Sequence, residues 1–132
     1  MAHRKSAAQL LIGTWRSDRK RTVAQWIYPK RLAAERRAVF EAIFGKLTVQ
    51  FTRSRHTTVY DGQRHSGFYR VIWSQDASIH PEIVVVYGTG RNERAQHIVF
   101  DSPNSYYVQG GKCAEFFKRV PPNTSLERTR AR

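Results

Sequence analysis

The groups in this 132-residue chain able to do chemistry are five histidines, ten carboxylates, one cysteine and twenty-three basic side chains. The histidines, His3, His56, His65, His80 and His97, are scattered. No two fall at ligand spacing on one strand face or helix turn, so no metal site is expected. His56 and His65 flank the turn pair Asp61-Gly62, a placement that lets them face each other across a hairpin. Among the carboxylates, Asp101 and Glu115 lie in strands or at strand ends, where a side chain can enter a cavity. Among Phe116, Tyr107 and Arg70, a buried Glu115 either has a raised pKa or pairs with Arg70. No second carboxylate or nucleophile stands at partner spacing, so no catalytic residue is assigned, and the chain is read as a non-enzyme without a cofactor. Cys113 has no base near it in sequence and reads as a small apolar residue in a strand. Gly88-Thr89-Gly90-Arg91-Asn92 has the small-residue look of an anion cradle. No helix follows it and no Gly-Lys-Ser occurs, so a hairpin turn explains it.

The basic surplus is the strongest anomaly, a formal net charge of +13. Residues 16–46 alone hold nine Lys and Arg against Asp18, Glu35 and Glu41. A field of this kind attracts polyanions and speeds their encounter. Arg31, Arg36 and Arg37 are the candidate contacts for nucleic acid, bound without sequence preference and in a salt-sensitive way. No recognition helix, zinc finger or RNA-binding aromatic signature accompanies them.

The elements that must position these groups follow from periodicity. Leu10 to Trp15 reads as a turn entering a short first strand, after which Ser17 or Asp18 offers a helix cap. Val23, Trp26 and Ile27 form one apolar stripe, and Pro29 suits the start of a second helix bearing Leu32, Val39, Phe40, Ile43 and Phe44. Gly45 stands where that helix should end. From Lys46 the period becomes two. Strands are expected at 47–52, 56–60, 68–73, 83–87, 96–100, 105–109 and 113–120, with short connections that imply antiparallel pairing. The expected fold is therefore mainly β with a helix pair (α+β). About eight antiparallel strands form a barrel or strongly curved sheet, and a helix hairpin inserted after the first strand caps one open end.

Length fits one domain, residues 1–120, followed by a disordered basic tail, 121–132, that lacks apolar periodicity. No apolar run approaches the ~20 residues of a membrane span. The apolar block Ser6 to Ile12 is short and interrupted by Gln9, which together with the single cysteine points to a cytoplasmic protein without a membrane partner.

Gly13-Thr14-Trp15 opening the first strand, with Lys118-Arg119 ending the last, resembles the lipocalin and fatty-acid-binding (calycin) superfamily, in which a strand-A Trp packs under a basic side chain from the final strand. Leu11 to Asp18, Phe44 to Thr48 and Glu115 to Val120 are similar to a family of small bacterial lipocalin-like proteins. The resemblance implies a barrel closed by Trp15 and Arg119 and a small ligand inside it. The Arg-x-Tyr carboxylate clamp of the fatty-acid-binding branch has no match, since Glu115-Phe116-Phe117-Lys118 stands there, so fatty-acid binding is not carried over. The tail from Pro121 to Arg132 resembles the ends of reading frames in mobile integron gene cassettes.

The leading expectation is a small-molecule-binding β-barrel for a partly apolar, anionic ligand. Its lining is Tyr69, Trp73, Tyr87 and Tyr107, with Arg70 as the charge. The alternatives are the polyanion binder above and a homodimer formed through an exposed apolar strand face.

Overall fold

A computed structural model describes residues 5–110 and 112–121. The expected tail from 122 onward, and Gly111 of the Gly110-Gly111 turn, lie outside the described residues. Eight strands form a closed barrel in sequence order, with every neighbouring pair antiparallel. They are β1 (Gly13–Ser17), β2 (Thr48–Phe51), β3 (Arg55–Tyr60), β4 (Gln63–Gln75), β5 (Glu82–Tyr87), β6 (Arg94–Ser102), β7 (Ser105–Gly110) and β8 (Cys113–Arg119). The hairpin turn at Asp61-Gly62 has φ of 51° and 82°, the left-handed pair that a two-residue type I′ turn requires.

Three short helices attach to the barrel: α1 (Ala7–Leu11), α2 (Arg19–Gln25) and α3 (Ala34–Glu41). α1 is not among the expected elements, and its last residues, Leu10 and Leu11, fall where a turn is expected. Ser6 and Gln9 form a capping box at its start, which satisfies two otherwise orphaned backbone donors and lets five residues hold a helix. The amide of Ala7 donates to Asp76 Oδ1 at 2.8 Å, tying α1 to the far end of β4. α2 starts at Asp18, whose side chain accepts from the Arg21 amide.

α2 finishes what β1 leaves undone. β1 pairs with β8 only as far as Ser17 opposite Phe117, so the backbone of residues 113–116 would present a raw edge. Gln25 donates through Nε2 to the Ala114 carbonyl (2.6 Å) and accepts through Oε1 from its amide (3.1 Å). Thr22 Oγ1 accepts from the Phe116 amide (2.9 Å), and the Asp18 amide donates to the Phe116 carbonyl (2.7 Å). Two helical side chains and one backbone amide thus take the place of a strand. α3 buries no residue of its own. The hairpin is held by Trp26, Tyr28, Phe40 and Phe44, whose rings meet at centroid distances of 5.1–5.9 Å.

The barrel end bearing Gly13 and Arg119 is shut. Trp15 is fully buried, donates from Nε1 to the Leu11 carbonyl (2.9 Å) and packs against Tyr106 at 4.7 Å. The Arg119 guanidinium lies 4.2 Å above the Trp15 ring and donates to the carbonyls of Leu10, Ile12 and Pro103. Gly13 is glycine for this reason: at φ 140°, a Cβ there would stand 2.6 Å from Arg119 Nη1. α1 therefore closes this end of the barrel. The helix hairpin sits at the opposite end, against β8, and contributes no residue to the interior space there.

Candidate functional site

Alternation sets which side chains enter the barrel. Ile83, Val85, Ile98, Phe100, Tyr106 and Phe117 are all buried there and form the packed core with Trp15, Phe51 and Tyr69. Towards the open end the same inward rows carry Glu115, Tyr87, Gln96, His56 and Thr58, and the packing gives way to a cavity of about 420 Å³. Leu47, Val49, Tyr106 and Phe117 complete its apolar wall, with Arg94 and Ala95 at the rim. That volume lies within the ~300–1,000 Å³ range of ligand pockets, and an apolar wall carrying a few polar groups is their usual composition.

Glu115 enters this space from β8. Ser17 Oγ donates to its Oε2 at 3.0 Å and accepts in turn from the Gly45 amide at 3.1 Å. Burial raises the carboxyl above its ordinary value, against the lowering effect of the Ser17 hydrogen bond. His56 lies 4.4 Å from Tyr87, centroid to centroid. Its register partner is Gly67, where a Cβ would stand 3.4 Å from His56 Cε1, in ordinary contact with the ring. Burial pushes the His56 imidazole below its ordinary pKa, the Gly67 backbone partly offsetting this. Its Nδ1 is buried and, among the described residues, has no hydrogen-bond partner. The Tyr87 hydroxyl donates to Gln96 Oε1 (2.7 Å), and burial raises its pKa.

Of the five residues expected to line a cavity, Tyr87 does so. Tyr69 points inward but belongs to the packed core, edge-on to Phe51 at 5.2 Å and donating to the Thr52 carbonyl. Arg70, Trp73 and Tyr107 lie on the outer surface. Trp73 is carried out by an irregularity in β4: Val71 opposes inward Val85, but Trp73 opposes Val84, one residue out of step. The ring is 48% exposed and packs near His97. Tyr107 alternates with inward Tyr106 and packs on Phe116, over which Arg21 sits at 4.2 Å. Arg70 pairs with Glu93 at 2.7 Å, not with Glu115. Asp101 faces out too, where Arg21 (2.6 Å) and its hydrogen bonds hold its carboxyl below the usual range against the effect of burial. His65 stands opposite Thr58, so it does not meet His56 across the hairpin. Among the described residues no group of three His, Cys, Asp or Glu is placed to hold a metal, and Cys113 is a buried free thiol.

Gln96 and Thr58 were legible as inward groups, because Gln96 keeps phase with Ile98 and Phe100 and Thr58 with His56. The partner that defines Glu115, Ser17, is 98 residues away and carries no local signal.

The basic residues separate likewise. Arg37 is engaged by Glu41 (2.9 Å) and by the Tyr28 ring (4.2 Å), while Arg31 and Arg36 are exposed. A denser concentration lies where α2 meets β1 and β8. There Arg16, Arg19, Lys20 and Lys118 line an open groove of about 730 Å³ with Val23 and Ala24, beside Asp18 and Glu41. No helix among the described residues is long and apolar enough to cross a membrane.

Compared with family models, curated proteins and solved structures, the chain shows no significant match to any of them.

Proposed function

We propose that this protein is a non-catalytic, lipocalin-like binder of a small, partly apolar molecule, held in the open half of the barrel. The observation that carries this reading is the cavity of about 420 Å³ that opens into the barrel at the end away from the buried Trp15. Polar groups gathered on an apolar wall give a ligand orientation, and Tyr87, Gln96 and Glu115 supply both donors and acceptors. The lipocalin-like sequence patches and the Trp15–Arg119 closure support the same reading.

The test is native mass spectrometry of the full chain incubated with a library of small amphipathic compounds, beside a Thr58→Trp variant whose indole would fill the mouth. One-to-one adducts on the parent chain that Thr58→Trp loses are the expected result. A parent chain that stays bare, or adducts indifferent to the substitution, overturns the reading.

A second reading, polyanion binding, is favoured by the groove of Arg16, Arg19, Lys20 and Lys118 rather than by Arg31, Arg36 and Arg37. It predicts an affinity for nucleic acid that falls steeply with salt and weakens on Arg16→Glu with Lys118→Glu. Unchanged affinity in that double variant would sink it.

A further inference from the structure

Four carboxylates of this chain have cationic or imidazole partners on the outer surface: Asp101 with Arg21, Glu41 with Arg37, Glu93 with Arg70 and Glu82 with His97. Glu115, the one that faces the cavity, has none among the described residues. Among the same residues Asp18, Glu35, Asp61 and Asp76 show no ion pair either, but they lie outside the cavity; what sets Glu115 apart is its burial, where a carboxylate without a counter-charge is costly. Its surroundings are aromatic: Tyr87, Tyr106 and Phe117 line the same space. Ring faces attract cations, most strongly where water is excluded.

We infer that the cavity takes a ligand bearing a protonated amine on an apolar or aromatic body, with the ammonium placed against Glu115. This rests on the ligand-binding reading above and names the ligand class. The ammonium supplies the missing counter-charge and the aromatic wall receives the body, while the Gln96 and Tyr87 side chains remain for further polar groups. Arg70, the charge expected to favour an anion, lies outside and is engaged by Glu93, which leaves Arg94, exposed at the rim, as the cation lining the cavity. The groups around Glu115 are Ser17 from β1, His56 from β3, Tyr87 from β5, Arg94 at the rim of β6 and Tyr106 from β7. Burial keeps His56 neutral to lower pH than usual, so it offers little competition to an ammonium.

Three probes of one size separate the possibilities: 2-phenylethylamine, 2-phenylethanol and 3-phenylpropanoate, a cation, a neutral donor and an anion on the same body. Dissociation constants are read by NMR titration of the full chain at pH 7.5 and 0.15 M salt, where the repulsion of a cation by the basic surface is largely screened. The amine is expected to bind about tenfold more tightly than the alcohol and the acid. Glu115→Gln should erase that preference. In the parent chain, amine affinity should fall as the pH is lowered through the Glu115 titration while alcohol affinity stays level, a result that needs no variant. Equal or weaker binding of the amine, a preference for the acid, or a preference that survives Glu115→Gln overturns the inference alone. Failure of all three probes to bind overturns it together with the ligand-binding reading.

Discussion

The two ends of the barrel are built from the same kinds of residue and reach opposite outcomes. At the closed end an indole, a guanidinium and three backbone carbonyls satisfy one another, and a glycine leaves the room they need. At the open end, among the described residues, a carboxyl has a single serine donor, an imidazole nitrogen is buried without a partner, and both line the remaining space. Buried polar groups stabilise when every member is paired and cost stability when one is not. The contrast teaches that the closed end is organised for stability and that the open end gives some stability up, the pattern expected where a site must accept a ligand.

The largest effect expected from this contrast is at Trp15. Trp15→Ala removes a fully buried ring, its Nε1 hydrogen bond and the surface on which Arg119 lies. Substitutions of this kind cost about 3–5 kcal/mol, a large share of the ~5–15 kcal/mol that holds a domain folded. The urea midpoint should therefore fall by at least about 1 M. A loss below about 1 kcal/mol would break the contrast, since the closed end would then be no better packed than the open one.

Much of this arrangement was open to reading from the chain itself. The eight strands, a helix cap at Ser17 or Asp18 and the Asp61-Gly62 hairpin rest on local rules and the contact of Trp15 with Arg119 on a resemblance, and all are present, the cap at Asp18. α1 had its signal in Ser6 and Gln9, spaced as a capping box, though five residues are too few to show a helical period. The site was less legible. Alternation places Trp73 beside Tyr69 only while β4 keeps step, and the irregularity after Val71 moves it to the other side. Arg70 finds Glu93 rather than Glu115 because the turn between β5 and β6 brings Glu93 back beside β4. Partnerships of this sort depend on barrel closure, which no window of sequence contains.

A smaller effect is expected at the open end, and of opposite sign. Burial raises the Glu115 carboxyl above 4.5, so the folded chain keeps a proton over a pH range in which the unfolded chain has lost it. The stability this group contributes is present below the unfolded pKa and is lost as the pH rises through the folded one. Glu115→Gln removes that dependence. At neutral pH the variant should be the more stable chain by about 1 kcal/mol, and the advantage should shrink as the pH is lowered towards 4.5. His56 titrates in the contrary sense, its lowered pKa drawing stability away as the pH falls, but it is common to both chains and cancels in their difference. Chemical denaturation of the two chains at a series of pH values supplies the comparison. A variant less stable than its parent at neutral pH would mean that Ser17 satisfies the carboxylate fully and that the open end gives up nothing.

The smallest effect belongs to the outer surface, and it sharpens the contrast by showing where neither end's rules apply. Trp73 is as large as Trp15 and sits in the longest strand, yet it is 48% exposed and rests near His97. Trp73→Ser should change stability by no more than about 0.5 kcal/mol, because water already wets half the ring and no carbonyl depends on its indole nitrogen among the described residues. Phe68 and Ile72 stand exposed on the same strand, so the residue-type pattern of β4 would rank Trp73 with the core while the irregularity after Val71 ranks it with the surface. Paired urea titrations of Trp15→Ala and Trp73→Ser decide between the two rankings. A cost at Trp73 above about 2 kcal/mol would restore the ring to an interior position and with it the regular alternation of β4.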